Sequence, residues 1–261
     1  MRIVTLANLK GGSAKTTSAL SLAAALAAYD HAVLAIDLDP QASLTTYAGE
    51  DPGPEAARLL EGHLDHAIKP TRWFAPANQR CPPAGERSAL HIVRADRSLV
   101  RLERNAPARL ANHLVSLFQH VEDQYDYAFI DPPPQMSALV MAALAASDDV
   151  YVPIACGRGA LDGLSDVVEI TQSYGTAPVT GAFVTRVNVS SHHDTALATH
   201  VSETFGDNAF DTFVRETVRA REAEMARIPL PVFAPASTAA QDYGHLSFEV
   251  RRRTAAANPT A

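Results

Sequence analysis

The chain has 261 residues, 47% hydrophobic and 20% charged, which is typical of a globular protein with a buried core. Its 22 basic residues are outnumbered by 29 acidic ones, which gives a net charge of −7. The overall charge therefore does not indicate a nucleic-acid-binding protein. No apolar stretch is long enough to span a bilayer, and the N-terminus lacks the basic segment and cleavage site of a signal peptide. We therefore expect a cytoplasmic protein.

Apolar runs of strand length alternate with helical patterns along the chain. The predicted strands cover residues 3–8, 32–37, 90–93, 127–131, 150–154 and 179–185. The predicted helices cover residues 15–29, 108–122, 140–146, 161–174, 195–205 and 236–252. Such alternation indicates a parallel sheet, and runs that are apolar throughout fit strands buried on both faces. The pattern predicts an α/β fold with a doubly wound, mostly parallel sheet and helices on both faces.

The domain organisation predicted from the sequence is simple. Residues 1–253 are expected to form one domain, because no linker or internal repeat divides them. Residues 49–87 contain six of the 17 prolines and the single tryptophan, so they are predicted to be an irregular excursion of loops and short helices. Residues 254–261 are small and polar and are predicted to be a disordered tail.

A glycine-containing loop joins the first predicted strand to the first helix, and it reads Leu-Lys-Gly-Gly-Ser-Ala-Lys-Thr-Thr over residues 9–17. Glycines let backbone N–H groups surround phosphate oxygens, and the helix directs its positive N-terminus to the same place. Lys15 is expected to reach the β- and γ-phosphates, Thr16 to bind Mg²⁺, and Thr17 to lie near the α-phosphate. The predicted phosphate-binding residues are Gly11, Gly12, Ser13, Ala14, Lys15, Thr16 and Thr17.

Acidic residues stand where two other predicted strands end. Asp37 and Asp39 are two residues apart, so their side chains can point the same way. Asp131 follows four apolar residues, and a carboxylate there can hold Mg²⁺ through its hydration shell. Because ligands gather at the carboxyl ends of strands in an open parallel sheet, all three carboxylates are expected near the loop.

The loop resembles the deviant Walker A motif K-G-G-x-x-K-[ST]-T of the ParA/MinD superfamily of P-loop ATPases. Its defined positions are occupied by Lys10, Gly11, Gly12, Lys15, Thr16 and Thr17. Residues 37–41 resemble the D-x-D-P-Q box of that family, and residues 127–134 resemble its Walker B strand. The likeness extends from residue 1 to about residue 252. Ala14 is a departure, because most family members have glycine there and the alanine methyl disfavours a positive φ.

The resemblance implies an ATPase that closes as a homodimer around two ATP molecules with Mg²⁺. It assigns catalytic roles to Lys10, which crosses to the partner's nucleotide, to Lys15, and to Asp39, which positions the attacking water. The metal is assigned to Thr16, Asp37 and Asp131, and adenine is expected near Thr185 and Pro231. Because one lysine arrives only on dimerisation, hydrolysis is expected to be slow until the dimer forms.

The chain also resembles the small ParA/Soj branch, because it starts at the phosphate-loop strand without a helix-turn-helix segment. That resemblance implies non-specific DNA binding in the ATP state, a nucleoid-associated location and a ParB-like centromere-binding partner that stimulates hydrolysis. Such DNA binding is expected to be strongly salt-dependent. The arginines considered for it are Arg215, Arg219, Arg221, Arg227, Arg251, Arg252 and Arg253. The favoured four are Arg219, Arg221, Arg251 and Arg252.

Two other hypotheses were weighed against DNA partition. One is a positioning ATPase that carries a protein cargo or uses a membrane, as in MinD. The membrane form needs a C-terminal amphipathic helix, and residues 254–261 lack bulky apolar side chains. The other is a reductase or iron–sulfur carrier of the same superfamily, which would need a CxxC motif. The chain has only Cys81 and Cys156, so this hypothesis is disfavoured.

Overall fold

The computed structural model describes residues 1–73, 89–157, 159–160, 168–169 and 177–257. Within these residues one sheet is formed by β1 (Arg2–Leu6), β2 (Ala32–Asp37), β3 (Lys69–Pro70), β4 (Ala89–Val93), β5 (Tyr127–Asp131), β6 (Asp149–Ala155) and β7 (Val179–Thr185). The strand order is β3-β4-β2-β5-β1-β6-β7. All neighbours are parallel except the two-residue β3, which pairs antiparallel with β4. The predicted fold class is confirmed.

The described helices cover both faces of the sheet. They are α1 (Lys15–Ala28), α2 (Ser43–Tyr47), α3 (Glu55–Leu60), α4 (Pro107–Val121), α5 (Ala138–Ala145), α6 (His192–Phe205), α7 (Val218–Ala226), α8 (Leu230–Phe233) and α9 (Thr238–Ala257). Side chains of β2 alternate between the two cores. Val33 and Ala35 pack with α1 and α9, whereas Leu34 and Ile36 pack with α3, α4 and α5. No helix within the described ranges is long and apolar enough to cross a membrane.

The topology brings the loop and the carboxylates to one edge of the sheet. β1, which precedes the loop, lies between β5 and β6, and β5 lies between β1 and β2. In the register of β2 and β5, Asp37 is directly opposite Asp131. Because these strands are parallel, their carboxyl ends lie beside the end of β1, where the chain enters the loop.

The structure differs from the sequence predictions at the C-terminus. Helix α9 continues to Ala257, so residues 254–257, predicted to be disordered, are helical. The Thr254 hydroxyl donates to the Val250 carbonyl at 3.0 Å, and the alanines that follow are the strongest helix formers. Residues 258–261 lie outside the described residues, as does most of the helix predicted over 161–174.

The segment predicted to be irregular belongs partly to the core. Helix α3 buries Leu59 and Leu60 beneath α4, and β3 adds an edge strand to the sheet. Residues 49–73 thus contain one short helix and a two-residue strand, while residues 74–88 lie outside the described residues. The sequence analysis did not predict helix α7, because only Ala223 of its nine residues is buried and its sequence has no apolar periodicity.

Candidate functional site

The loop between β1 and α1 presents backbone donors to an open space. Gly12 has φ +74°, and a Cβ added at Gly11 or Gly12 would meet nothing within 4 Å. Within the described chain, the N–H groups of Gly11, Gly12 and Ser13 have no acceptor. Ala14 caps α1 with φ 67° and ψ 25°, the left-handed conformation that costs a non-glycine residue about 1 kcal/mol. The loop is therefore held, despite that strain, in a shape that can receive an anion.

Lys15 lies under the loop, buried, and its Nζ donates to the Asn8 carbonyl at 2.8 Å. Asn8 is fixed in turn, because its side chain donates to the Pro153 carbonyl at 2.9 Å and accepts the Lys10 N–H at 2.9 Å. Burial lowers the pKa of Lys15, while the charges of Asp131 and Asp39 raise it. An ammonium has three donors, so Lys15 retains two for a ligand in the loop.

The two carboxylates after β2 have different environments. Asp37 is fully buried, and it accepts the Thr45 N–H at 2.8 Å, the Thr45 hydroxyl at 2.7 Å and the Asp39 N–H at 3.1 Å. Burial raises the pKa of Asp37 to about 7, and the Thr45 hydrogen bonds act in the opposite direction. Asp39 accepts the Gln41 N–H at 2.8 Å and lines the cavity beside the loop. Asp37 thus supports the turn, and Asp39 faces the open space.

Asp131 is a buried carboxylate with no hydrogen-bond partner of normal geometry at either oxygen in the described structure. Burial raises its pKa, as does the neighbouring charge of Asp37, whereas the Thr16 hydroxyl and the Lys15 ammonium lower it. An unpaired buried carboxylate is costly unless a cation or its water shell accompanies it. Together with the Thr16 hydroxyl it provides oxygen ligands that suit a hydrated Mg²⁺.

Two adjoining cavities run from the loop towards the end of β7. The phosphate cavity, of about 200 Å³, is lined by Gly12, Ser13, Ala14, Lys15, Thr16, Thr17, Asp39, Ser43, Tyr47, Pro134, Arg186 and Glu224. The base cavity, of about 60 Å³, is lined by Thr185, Val214, Glu216, Thr217, Ala220, Ala239, Tyr243 and others. They share Ala14, Thr17, Arg186 and Glu224. The cavities are therefore contiguous.

Buried hydroxyls without partners mark both cavities. In the described structure neither the Ser13 Oγ in the loop nor the Thr185 Oγ1 at the end of β7 has a hydrogen-bond partner. Both residues are buried, so water does not replace the missing partner freely. The two ends of a ligand that occupied both cavities would therefore meet unsatisfied polar groups.

Comparison with known proteins identifies the kind of site. The AAA domain family matches residues 1–177, which include the loop and the three carboxylates. The chromosome-partitioning ATPase Soj of Thermus thermophilus is 31% identical in an alignment covering 97% of this chain and 96% of that protein. The chain belongs to the ParA/Soj family of ATPases.

Solved structures share the fold of this ParA-like ATPase. The cell division ATPase MinD of Pyrococcus furiosus has a TM-score of 0.75 at 21% identity, covering 96% of this chain and 98% of that one. The cobyrinic acid a,c-diamide synthase of Mycobacterium smegmatis, with bound ATP analogue and magnesium, has a TM-score of 0.74 at 23% identity. That match covers 97% of this chain and 95% of that one.

The prediction for Pro231 of the ParA-like ATPase is corrected by the structure. Pro231 lies on α8 and lines a separate cavity with Ala25, Ala28 and Tyr29, at the C-terminal end of α1. Because α1 has 14 residues, that end is about 20 Å from the loop. The four-residue α8 packs on α1, and this packing carries Pro231 away from the predicted adenine position. Thr185, by contrast, is in the base cavity.

Arg186, Glu224 and Tyr47 are among the cavity-lining residues that the sequence analysis did not assign to the site. Arg186 directly follows β7, is exposed and has φ 56°, an unusual value for arginine. Its place at the carboxyl end of a strand was a usable signal. Glu224 on α7 accepts the Thr17 hydroxyl at 2.6 Å, and Tyr47 lies on α2. These two come from helices brought in by tertiary packing, so no local pattern indicated them.

Three of the arginines considered for DNA contact have structural partners in the ParA-like ATPase. Arg215 forms a two-pronged ion pair with Asp242 at 2.6 and 2.9 Å. Arg227 donates to the carbonyls of Thr46 and Glu50, which connects α7 to the end of α2 and to the segment that follows it. Arg253 donates to the carbonyls of Thr180 and Ala209 and lies over the Phe210 ring. These side chains are already used within the fold.

The four favoured arginines are at the surface in two separate places. Arg219 and Arg221 lie on α7, with side chains 57% and 77% exposed. Arg251 and Arg252 lie near the end of α9, and Arg252 is 71% exposed. Thr238, at the start of α9, lines a surface cavity with Arg221, so about 20 Å of helix separates the two pairs.

Replacing Asp131 with asparagine is expected to stabilise the nucleotide-free protein. The pKa of Asp131 is higher in the folded state than its value of about 4 in the unfolded chain, so the folded state binds the proton more tightly. The resulting stabilisation of the fold is fully present below the unfolded pKa. That stabilisation is lost as the pH rises through the folded pKa. Asp131→Asn should therefore raise the free energy of unfolding at pH 8 by about 2 kcal/mol, with little change at pH 4. Urea unfolding at both pH values measures this, and an equal effect at both would contradict it.

Proposed function

We propose that this protein is a partition ATPase that segregates plasmid or chromosome DNA. In the ATP state it forms a homodimer and binds DNA without sequence preference, in the cytoplasm at the nucleoid. A ParB-like centromere-binding partner stimulates hydrolysis. The proposal is supported by the full-length likeness to Soj, which is named for chromosome partitioning, together with the intact loop.

The proposed ligands of the site are ATP and Mg²⁺. The single observation that carries this is the set of groups without hydrogen-bond partners at the ends of β1 and β5: the loop N–H groups, the Ser13 hydroxyl and the Asp131 carboxylate. Lys15 would hold the β- and γ-phosphates, and Thr16 with Asp131 would hold the metal and its water shell. Asp37, whose oxygens already bind Thr45 and the Asp39 amide, would support the metal water shell from behind.

The proposed reaction is γ-phosphoryl transfer to water, in which positioning and charge stabilisation dominate. Asp39 lines the phosphate cavity, and its carboxylate would orient the attacking water. Lys10 is half-exposed and is not among the residues that line its own phosphate cavity. A role for Lys10 at the nucleotide of a second copy is compatible with that position. The site is then complete only in the dimer.

DNA co-sedimentation of the purified protein tests the proposed function. Binding is compared with ATP, with ADP and without nucleotide, each at 50 and 200 mM salt, a range over which phosphate contacts weaken by orders of magnitude. ATP-dependent binding that falls steeply with salt is expected. Absence of DNA binding under every condition, by a protein that binds ATP, would contradict it.

Arg219 and Arg221 are expected to contribute more to DNA binding than other exposed arginines. The double variant Arg219→Ala, Arg221→Ala should bind DNA at least tenfold more weakly with ATP, with a salt slope reduced by about 2. The matched control is Arg104→Ala, Arg109→Ala, which removes two exposed arginines at and before α4, on the opposite face of the sheet. Equal losses in the two variants would contradict a specific role for α7.

A second candidate function is the positioning of a protein cargo by the same ATP switch. The observation that favours it is that three of the four arginines favoured for DNA contact have an acidic neighbour. Arg219 pairs with Glu222 at 2.7 Å, Arg221 with Glu216 at 3.6 Å and Arg252 with Asp211 at 3.6 Å. These carboxylates and the net charge of −7 weaken attraction to DNA. ATP-dependent dimerisation without DNA binding would support this candidate.

A further inference from the structure

Helix α7 is connected to the phosphate loop through one hydrogen bond. The hydroxyl of Thr17, on the first turn of α1, donates to Oε1 of Glu224 at 2.6 Å. Glu224 lines both the phosphate cavity and the base cavity, so its carboxylate stands where the two join. Within the described chain, no basic side chain lies within ion-pair distance of Glu224. The Glu224 carboxylate therefore lies, without a basic partner in the described chain, at the proposed binding site of a polyanion.

The Thr17 hydroxyl cannot donate a hydrogen bond to Glu224 and to a nucleotide at the same time. A threonine hydroxyl has a single proton to donate, and the donor of the present bond is the Thr17 hydroxyl. A nucleotide placed with its α-phosphate at Thr17 needs that proton and brings a like charge next to the carboxylate. We propose that nucleotide binding breaks the Thr17–Glu224 bond, so that Glu224 weakens nucleotide affinity and transmits nucleotide occupancy to α7. This inference rests on the proposed placement of the α-phosphate, but not on DNA binding.

Helix α7 has few other attachments, which makes it responsive to the loss of one. Ala223 is its only buried residue, and Val218 and Met225 are 65% and 85% exposed. Thr217 caps its N-terminus, and Arg227, just beyond its end, donates to carbonyls in α2 and in the segment after α2. A helix with little buried apolar surface has low local stability. The helix also carries Arg219 and Arg221, so a change in its position would change what these arginines can contact.

The first test is the affinity for ADP, measured by isothermal titration calorimetry. Glu224→Ala should bind ADP about tenfold more tightly than wild type, because no competing acceptor or like charge remains. Glu224→Gln keeps the side-chain shape and an acceptor oxygen without the charge, and it should give a smaller gain. Glu222→Ala is the matched control, because it removes a charge from the same helix at a residue that lines neither cavity. Unchanged or weaker ADP binding by both Glu224 variants would overturn the inference.

The second test is hydrogen exchange of the α7 amides, with and without saturating ADP. Without nucleotide, α7 should exchange several-fold faster in Glu224→Ala than in wild type, because the bond to Thr17 is missing. With ADP this difference should disappear, since the bond is then broken in both proteins. A difference that persists with ADP would show that the bond survives nucleotide binding and would overturn the inference.

The two tests separate this inference from the proposed function. A wild-type protein that binds no ADP would refute the nucleotide placement itself. A wild-type protein that binds ADP normally, with no effect of the Glu224 variants, would refute only the coupling.

Discussion

Replacing Asp39 with alanine is expected to lower the rate of ATP hydrolysis at least a hundredfold while ATP binding stays within about threefold of wild type. Asp39 lines the phosphate cavity, and the one hydrogen bond of its carboxylate in the described structure is accepted from the Gln41 N–H in the next turn. Asp37 and Asp131, by contrast, are buried and electrostatically coupled to the rest of the site. The loss should therefore fall on the chemical step and not on the fold or on binding.

Single-turnover hydrolysis and ATP titration of Asp39→Ala measure the two quantities separately. Asp39→Asn is the control for structure, because an amide oxygen can still accept the Gln41 N–H. Both variants should lose hydrolysis to a similar extent and should accumulate the ATP-bound dimer. Hydrolysis within threefold of wild type in either variant would exclude Asp39 as the residue that orients water.

Replacing Lys10 with alanine is expected to abolish the ATP-dependent dimer while ATP still binds to the monomer. The Lys10 side chain does not line the phosphate cavity of its own chain, whereas Lys15 does. The backbone N–H of Lys10, which Asn8 accepts, is unchanged by the substitution, so the loop should keep its shape. Without the dimer, hydrolysis should fall at least a hundredfold, because the ammonium that we propose stabilises transition-state charge in the partner's site is missing.

Light scattering after size-exclusion chromatography with a non-hydrolysable ATP analogue measures dimer formation. Lys69→Ala is the control, because it removes the third lysine of the chain, which lies on β3 near Glu55 and away from the loop. The control should dimerise as wild type does. A Lys10→Ala protein that dimerises normally would refute the contact between chains.

Local sequence patterns were sufficient to predict the phosphate half of the site. The strand, loop and helix that hold Lys15 are consecutive in the chain, and their predicted bounds differ from those observed by one or two residues. The placement of Asp37 opposite Asp131 follows from parallel pairing of β2 with β5. Strand ends meet at one edge in any such sheet, so three distant carboxylates could be assigned to one site without coordinates.

The remainder of the site depends on contacts between distant segments. Pro231 was assigned to adenine by resemblance, but packing of α8 on α1 places it elsewhere. Arg253 belongs to a basic run in the sequence, yet the backbone carbonyls of Thr180 on β7 and of Ala209 accept its guanidinium hydrogens. Glu224 reaches the phosphate loop because α7 folds back over α1 from more than 200 residues away, as its bond to Thr17 shows. No periodicity or motif encodes such contacts.

The most direct measurement for this account is equilibrium binding of ATP to the purified protein, with and without Mg²⁺. The account predicts saturable binding of one ATP per chain that Mg²⁺ strengthens, because the unpaired carboxylate of Asp131 needs a cation when a triphosphate enters. Absence of saturable ATP binding, or binding that Mg²⁺ does not affect, would contradict the assignment of the loop and its carboxylates as one nucleotide site.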